Sequence, residues 1–364
     1  MTSPYLTINL AKIEHNARTI VGLCREHGIT VSGVTKATCG HPDVAAAMLR
    51  GGVSSLADSR LENIRRLKAA GIDTPCMLLR VPALSGVDEV VDSIDVSLNS
   101  EMSVLAGLSQ AALRRGRVHE VVLMVDLGDL REGIWADDIM DFVGEAQALS
   151  GVRIVGLGTN LACFAGVVPS EENMQRLVEL AAAIEQRFEL ELKWISGVNS
   201  SGLELIVAGR TPGRINHARI GEAILLGRET TQRKPWPNTY QDAFVLHAEV
   251  LELKHKPSAP QGERGEDAFG HRPEFEDRGL MLRALINVGR EDVAVDGIVP
   301  LDARLTVVGA SSGYLVVDAT VAEGDVCVGD ELQFSLNYSA LVAAMTSEYV
   351  KKRSSTASSA AREA

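Results

Sequence analysis

Residues 120–160 read EVVLMVDLGDLREGIWADDIMDFVGEAQALSGVRIVGLGTN. An apolar run, Glu120–Asp126, ends in acidic and glycine residues, passes into a helical pattern, and returns as a second apolar run, Arg153–Asn160. The same unit recurs on both sides, from about Val31 to Ile224, with runs at Val31–Lys36, Ser54–Asp58, Pro75–Arg80, Asp95–Asn99, Lys193–Asn199 and Ile215–Ile220, eight in all. Strands that alternate with amphipathic helices are the signature of βαβ units around a parallel sheet. The helices show it too: in Ser170–Phe188, Met174, Leu177, Val178, Ala181, Ile184 and Phe188 recur at helical spacing on one face. Eight units with no helix-free meander favour a closed (β/α)8 TIM barrel over an open doubly wound sheet. No GxGxxG follows the first run, which weakens a dinucleotide-binding reading.

After Thr230 the texture changes. A proline-rich hinge, Arg233-Lys234-Pro235-Trp236-Pro237, precedes alternating runs at Ala243–Leu253, Met281–Val288, Ala303–Val308 and Tyr314–Thr320, with a long irregular stretch at Pro257–Asp277. The expected organisation is an α/β barrel over residues 1–235, a mostly β domain over 236–350, and a small, polar, disordered tail over 351–364.

The 364 residues carry a net charge of −12, which argues against a nucleic-acid partner. No apolar stretch approaches the roughly 20 residues that span a bilayer. The start carries Lys12 and Glu14 where a signal peptide would be apolar, so the expected location is cytoplasmic, away from membranes. Five scattered cysteines without a CxxC pair indicate neither a disulfide framework nor a thiolate metal site.

In a TIM barrel the chemistry sits at the carboxyl ends of the strands. Here those ends read Lys36, Asp58-Ser59-Arg60, Arg80, Asn99, Asp126, Asn160, Asn199-Ser200-Ser201 and Arg219. Lys36 closes an otherwise apolar and small-residue run. Position alone leaves two readings open: a lysine that snorkels or pairs with a carboxylate, which is the commoner case, or a desolvated amine that attacks an aldehyde cofactor.

Read as a whole, the chain from about Tyr5 to Lys352 resembles the alanine racemase family, which depends on pyridoxal 5'-phosphate (PLP), and within it the ornithine and lysine racemase branch. Four blocks carry the resemblance: Val34-Thr35-Lys36-Ala37-Thr38-Cys39-Gly40-His41, Val125-Asp126-Leu127-Gly128-Asp129-Leu130-Arg131-Glu132-Gly133, Asn199-Ser200-Ser201 and Arg219-Ile220-Gly221. The resemblance implies that Lys36 bonds the cofactor and that Arg131 faces the substrate carboxylate. It further implies that Ser200, Ser201, the amides of Gly221 and Glu222, and Tyr349 hold the phosphate, and that Arg219 lies under the cofactor ring. A guanidinium that keeps its proton can only donate to the ring nitrogen, which suits simple loss and return of an α-proton. The structural alternatives are a helix cap for Ser200, a core position for Tyr349, an ion pair with Asp129 or Glu132 for Arg131, and an acidic barrel partner for Arg219.

The chain departs from the family at two places. Asn160 stands where alanine-specific members carry a histidine, and Asn287-Val288-Gly289-Arg290-Glu291-Asp292 stands where they carry the tyrosine that serves as second base. The ornithine-type branch shares the second pattern, along with blocks like Asp267-Ala268-Phe269-Gly270 and Gly309-Ala310-Ser311-Ser312. Tyr314, Cys163 and His271 are candidates for the missing base, with Arg290 beside them. Asp267, Glu291 and Asp292 are candidates to accept the side-chain ammonium of ornithine or lysine. A racemase of cationic amino acids is the leading reading. Its rivals are another PLP reaction on the same fold, either decarboxylation, against which Arg219 speaks, or aldol cleavage, whose expected HxC or HxD metal pair is not seen after His271. A non-catalytic PLP carrier would lack the β domain. No metal is expected, and the resemblance implies a head-to-tail homodimer.

Overall fold

The computed structural model describes residues 3–356. Two compact units emerge, one formed by Leu10–Gln241 and the other by the residues up to Asn9 together with those from Asp242 onward.

The first unit is the barrel. All eight expected strands form: β1 (Thr30–Val34), β2 (Ser55–Asp58), β3 (Cys76–Leu78), β4 (Val96–Asn99), β5 (His119–Asp126), β6 (Val152–Gly158), β7 (Trp194–Val198) and β8 (His217–Ile220). They pair in parallel in chain order, and β8 pairs with β1 to close the ring. Strand alternation sends Val34, Ala57, Met77, Val96, Leu98, Val122, Met124 and Val155 into one buried cluster inside the ring. The helix Glu171–Phe188 starts at a capping box between Ser170 and Asn173 and buries Met174, Leu177, Leu180, Ala181 and Ile184. Leu180 therefore takes the inward place expected of Val178, which is only half-buried. The hinge after Thr230 is no free linker. Buried Glu229 folds it back by accepting the amides of Thr231 at 2.7 Å and of Gln232 and Lys234 at 2.9 Å.

The second unit is a mostly antiparallel sheet in the order Ile298–Pro300, Glu331–Leu336, Phe244–Pro257, Leu280–Ile286, Leu315–Asp318, Thr306–Ala310. Two expected boundaries need correction here. Tyr5–Asn9 is not part of the barrel: it lies antiparallel to Phe244–Pro257 and parallel to Lys351–Ser355. The start of the proposed tail, Lys351–Ser355, is thus an ordered edge strand, and residues 357–364 lie outside the described residues. Its lysines and arginine hid it, since an edge strand needs no apolar alternation and is guarded by charge. Arg353 stacks over the Tyr5 ring at 3.5 Å. Among the described residues no helix is long and apolar enough to cross a membrane.

Candidate active site

Lys36 opens a short 3-10 turn, Lys36–Thr38, directly beyond β1. Cys39 and Gly40 follow with left-handed φ values of 52° and 59°. Gly40 is required twice over, because a Cβ there would lie 2.8 Å from the Asn63 carbonyl oxygen. Thr35 Oγ1 donates to Asp58 Oδ2 at 2.7 Å, while Asp58 Oδ1 accepts the Arg60 amide and Asn63 Nδ2, both at 2.9 Å. Asp58 is fully buried, and burial pushes its carboxyl above the usual range. It works as a clamp between the ends of β1 and β2, setting the turn that presents Lys36. The lysine side chain itself is exposed.

Arg219, on β8, is buried. Its Nη2 donates to the Thr159 carbonyl at 2.6 Å, and Nη1 to the Ser196 carbonyl at 2.9 Å and to Ser196 Oγ. Among the described residues no carboxylate is bonded to it, so the acidic barrel partner is not what holds it. Desolvation pulls its pKa down to about 10, which leaves it charged at neutral pH.

Behind Arg219 stands a wall of hydrogen bonds. The guanidinium can only donate, so Ser196 Oγ accepts from it and also lies 2.7 Å from His217 Nδ1. His217 Nε2 is 2.8 Å from Ser32 Oγ, which in turn reaches Ser55 Oγ at 2.6 Å. Burial, with the nearby Arg219 charge, lowers the His217 pKa to about 3 and keeps the ring neutral. Gly158 makes room for this wall, since a Cβ there would sit 3.1 Å from the Ser196 carbonyl oxygen.

At the end of β7, Asn199 caps the following turn by accepting the Ser201 amide at 2.7 Å and the Ser201 hydroxyl. The cap is therefore Asn199, not Ser200. Ser200 Oγ accepts the Ala223 amide at 3.2 Å and keeps its own proton to donate, whereas Ser201 is occupied by Asn199. Gly221 packs so tightly on Val34 that a Cβ would lie 3.0 Å from the valine Cβ, which brings the two strand ends together. The Glu222 carboxylate pairs with Arg233; burial raises its pKa, and Arg233 and Lys36 draw it down. Asn160 has a buried Nδ2 without an acceptor, and its Oδ1 accepts from Asn199 Nδ2 at 3.4 Å.

The loop after β5 turns through Gly128, Leu130 and Gly133, with φ values of 115°, 54° and 145°. Asp126 Oδ1 takes the amides of Gly128 at 2.8 Å and Leu130 at 3.2 Å. Arg131 forms a two-point ion pair with Glu132, Nε to Oε2 and Nη2 to Oε1. Asp129 points elsewhere: buried, it accepts the amides of Cys163, Phe164 and Val167 and ties this loop to the one after β6.

Within the sheet unit, three expected blocks come together. Arg290 lies over the Phe269 ring at 5.2 Å and donates its amide to the Ser311 carbonyl and its Nε to the Ala310 carbonyl. Glu291 donates its amide to the Ser312 carbonyl, and Tyr314 follows on the same turn, half exposed. Asp292 is withdrawn from any ligand role, since it is buried and accepts the Gly289 amide at 2.9 Å. Asp267 Oδ1 holds the amides of Phe269 and His271, which lowers its pKa. Tyr349 is exposed rather than in the core. Cys163 and His271 are also exposed. Among the described residues no cluster of His, Cys, Asp or Glu is placed to hold a metal ion.

Asp58 was named from sequence only among the polar strand ends and Asp129 only as an alternative partner of Arg131, and Ser196 and His217 were not singled out. The signal for the last two was present: His217 and Arg219, two apart on β8, alternate onto one face, and Ser196 lies inside the neighbouring strand β7.

Lysine, arginine and serine thus stand at the carboxyl ends of β1, β8 and β7 of a closed parallel barrel, in a chain that also carries a separate sheet unit. A profile of the alanine racemase N-terminal domain matches residues 8–229, and the chain belongs to the alanine racemase family. It is 40% identical over 350 residues to the ornithine racemase of Acetoanaerobium sticklandii, covering 96% of this chain and 99% of that one. It is 39% identical over 352 residues to the lysine racemase of Thermotoga maritima, covering 97% and 98%. The solved alanine racemase from Streptomyces coelicolor A3(2) superposes with a TM-score of 0.74 at 20% identity, over 96% of this chain and 97% of that one, a likeness of fold.

Proposed function

We propose that this protein is a PLP-dependent racemase that inverts the α-carbon of a cationic amino acid, ornithine or lysine. The observation that carries the reading is Arg219: a buried guanidinium without a bonded carboxylate, held by two carbonyls and a serine, on the strand beside the one that presents Lys36. The residues suit the cofactor. Ser200 has a proton to give, the Gly221 and Glu222 amides stand at the same strand ends, and Asn160 carries a buried donor without an acceptor. PLP, when bound, supplies the electron sink that acidifies the α-proton of an amino acid. Lys36 would hold the cofactor and would carry the substrate's α-proton on one face. Arg219 would stand under the cofactor ring as a donor that keeps its own proton, which would favour simple return of the α-proton to the substrate. Arg131 orients the α-carboxylate. Tyr314, from the sheet unit of a second subunit, serves the opposite face, with Arg290 beside it and Tyr349 reaching toward the phosphate.

The test is direct. Purified protein supplied with PLP is incubated separately with L- and D-ornithine, lysine and alanine, and the enantiomers are separated chromatographically. The reading predicts interconversion of ornithine or lysine from both sides, faster than alanine; loss of neither enantiomer would refute it. The head-to-tail dimer and a cytoplasmic setting belong to the same proposal. Mixed dimers of Lys36→Ala and Tyr314→Phe chains should regain activity that neither variant shows alone, and inactive heterodimers would remove the shared site.

A further inference from the structure

The distal ammonium of the substrate must be met by a carboxylate, and the acidic residues expected for it in the sheet unit are largely engaged: Asp292 is buried on the Gly289 amide, and Asp267 holds two amides of its own loop. The barrel mouth carries another. Glu132 grips the Nε–Nη2 edge of Arg131, the residue assigned to the substrate α-carboxylate, and both side chains are partly exposed, 23% for Glu132 and 38% for Arg131. Its charge is felt as far as Arg219.

Resting on the proposed function above, we propose that Glu132 selects the substrate by accepting its side-chain ammonium. The argument is one of charge. In the free protein Arg131 and Glu132 balance each other. A bound α-carboxylate, whether it displaces Glu132 from the guanidinium or takes the remaining Nη edge, places a second carboxylate on one cation. An amino acid with an uncharged side chain brings only its α-amino charge, which lies at the reacting carbon, and leaves Glu132 without a cation of its own in a half-buried mouth. Ornithine or lysine brings the missing positive charge on a flexible methylene chain, and the carboxylate nearest to hand is the one its own α-carboxylate has loosened. Asp129 cannot take this part, because its carboxylate is buried under three loop amides. Discrimination then comes both from a new ion pair with the right substrate and from an unpaired charge with the wrong one.

The experiment compares ornithine with norvaline, which has the same carbon chain without the ammonium, in wild type, Glu132→Gln and Glu132→Asp holoenzyme. Two readouts are taken: kcat/KM for racemisation, and the binding constant from titrating the visible absorbance of the bound cofactor. Glu132→Gln should lower ornithine kcat/KM and affinity at least tenfold while raising norvaline severalfold, since Arg131 is freed from its competitor. Glu132→Asp should retain part of the preference. Equal losses for both substrates would show that Glu132 only steadies Arg131, and an unchanged ratio would show that it touches neither; each overturns the proposal. A wild type that racemises norvaline as well as ornithine also overturns it. A wild type inactive on every amino acid instead brings down the racemase reading on which the proposal stands.

Discussion

Protonation of His217 would break the wall that holds Arg219, and the cost can be worked from the structure. In the folded chain both ring nitrogens are bonded to serines, and the ring titrates near about 3 against 6.5 when unfolded. The folded pKa is the lower one, so below about 6.5 the unfolded chain takes up a proton that the folded chain refuses. Stability is complete above that pH and falls as pH drops toward about 3, by about 1.4 kcal/mol per pH unit. Between pH 7 and pH 5 His217 alone removes about 2 kcal/mol. His119, buried on β5 beside Ser97 Oγ at 2.9 Å and depressed by burial to about 4, removes about as much again. Urea unfolding at the two pH values, followed by tryptophan fluorescence, should show a fall in stability about 2 kcal/mol larger in wild type than in His217→Gln. Lost hydrogen bonds lower the variant at both pH values and cancel in the difference. An equal fall in both proteins, or a His217 imidazole that titrates near 6.5 in the folded state, would refute the buried, neutral histidine in the wall behind Arg219.

Three other perturbations follow from the geometry. Ser200→Ala removes the serine proton left free for the phosphate and should weaken PLP binding to the cofactor-free protein about tenfold in a fluorescence titration, whereas Ser201→Ala should change it little. Arg131→Lys keeps the charge but loses the planar fork, and should raise KM for ornithine about tenfold or more with a smaller change in kcat. Gly133→Ala forces a side chain into φ 145° with its Cβ 2.4 Å from the Asp126 amide nitrogen, and should destabilise the protein by about 2–4 kcal/mol, read as a lowered Tm in calorimetry.

The barrel was legible because eight strands and their helices each obey a local period, and because polar residues collect where strands end. Sheet membership at the two ends of the chain was not. Tyr5–Asn9 adjoins the first barrel helix in sequence but pairs with Phe244–Pro257, and Lys351–Ser355 has no apolar alternation to reveal it. In the site, Lys36, Ser200 and Arg219 stood out as polar side chains at strand ends, and Arg131 through the block in which the chain resembles the family. Their supports did not, because each looks ordinary in sequence: Asp129 reads as one more acidic loop residue, Ser196 as a small residue inside a strand, and His217 as a surface histidine. What makes them matter is the partner across the barrel, and that is set by strand register, which one strand's pattern does not contain.

The most direct measurement of the central claim is exchange of the α-proton in deuterated water. Each enantiomer of ornithine would be incubated with the holoenzyme and with Lys36→Ala, and deuterium at the α-carbon followed by mass spectrometry alongside enantiomer content. The account predicts label entering both enantiomers as they converge on equal amounts, and none with Lys36→Ala. Label without interconversion, or interconversion that survives the loss of Lys36, would contradict it.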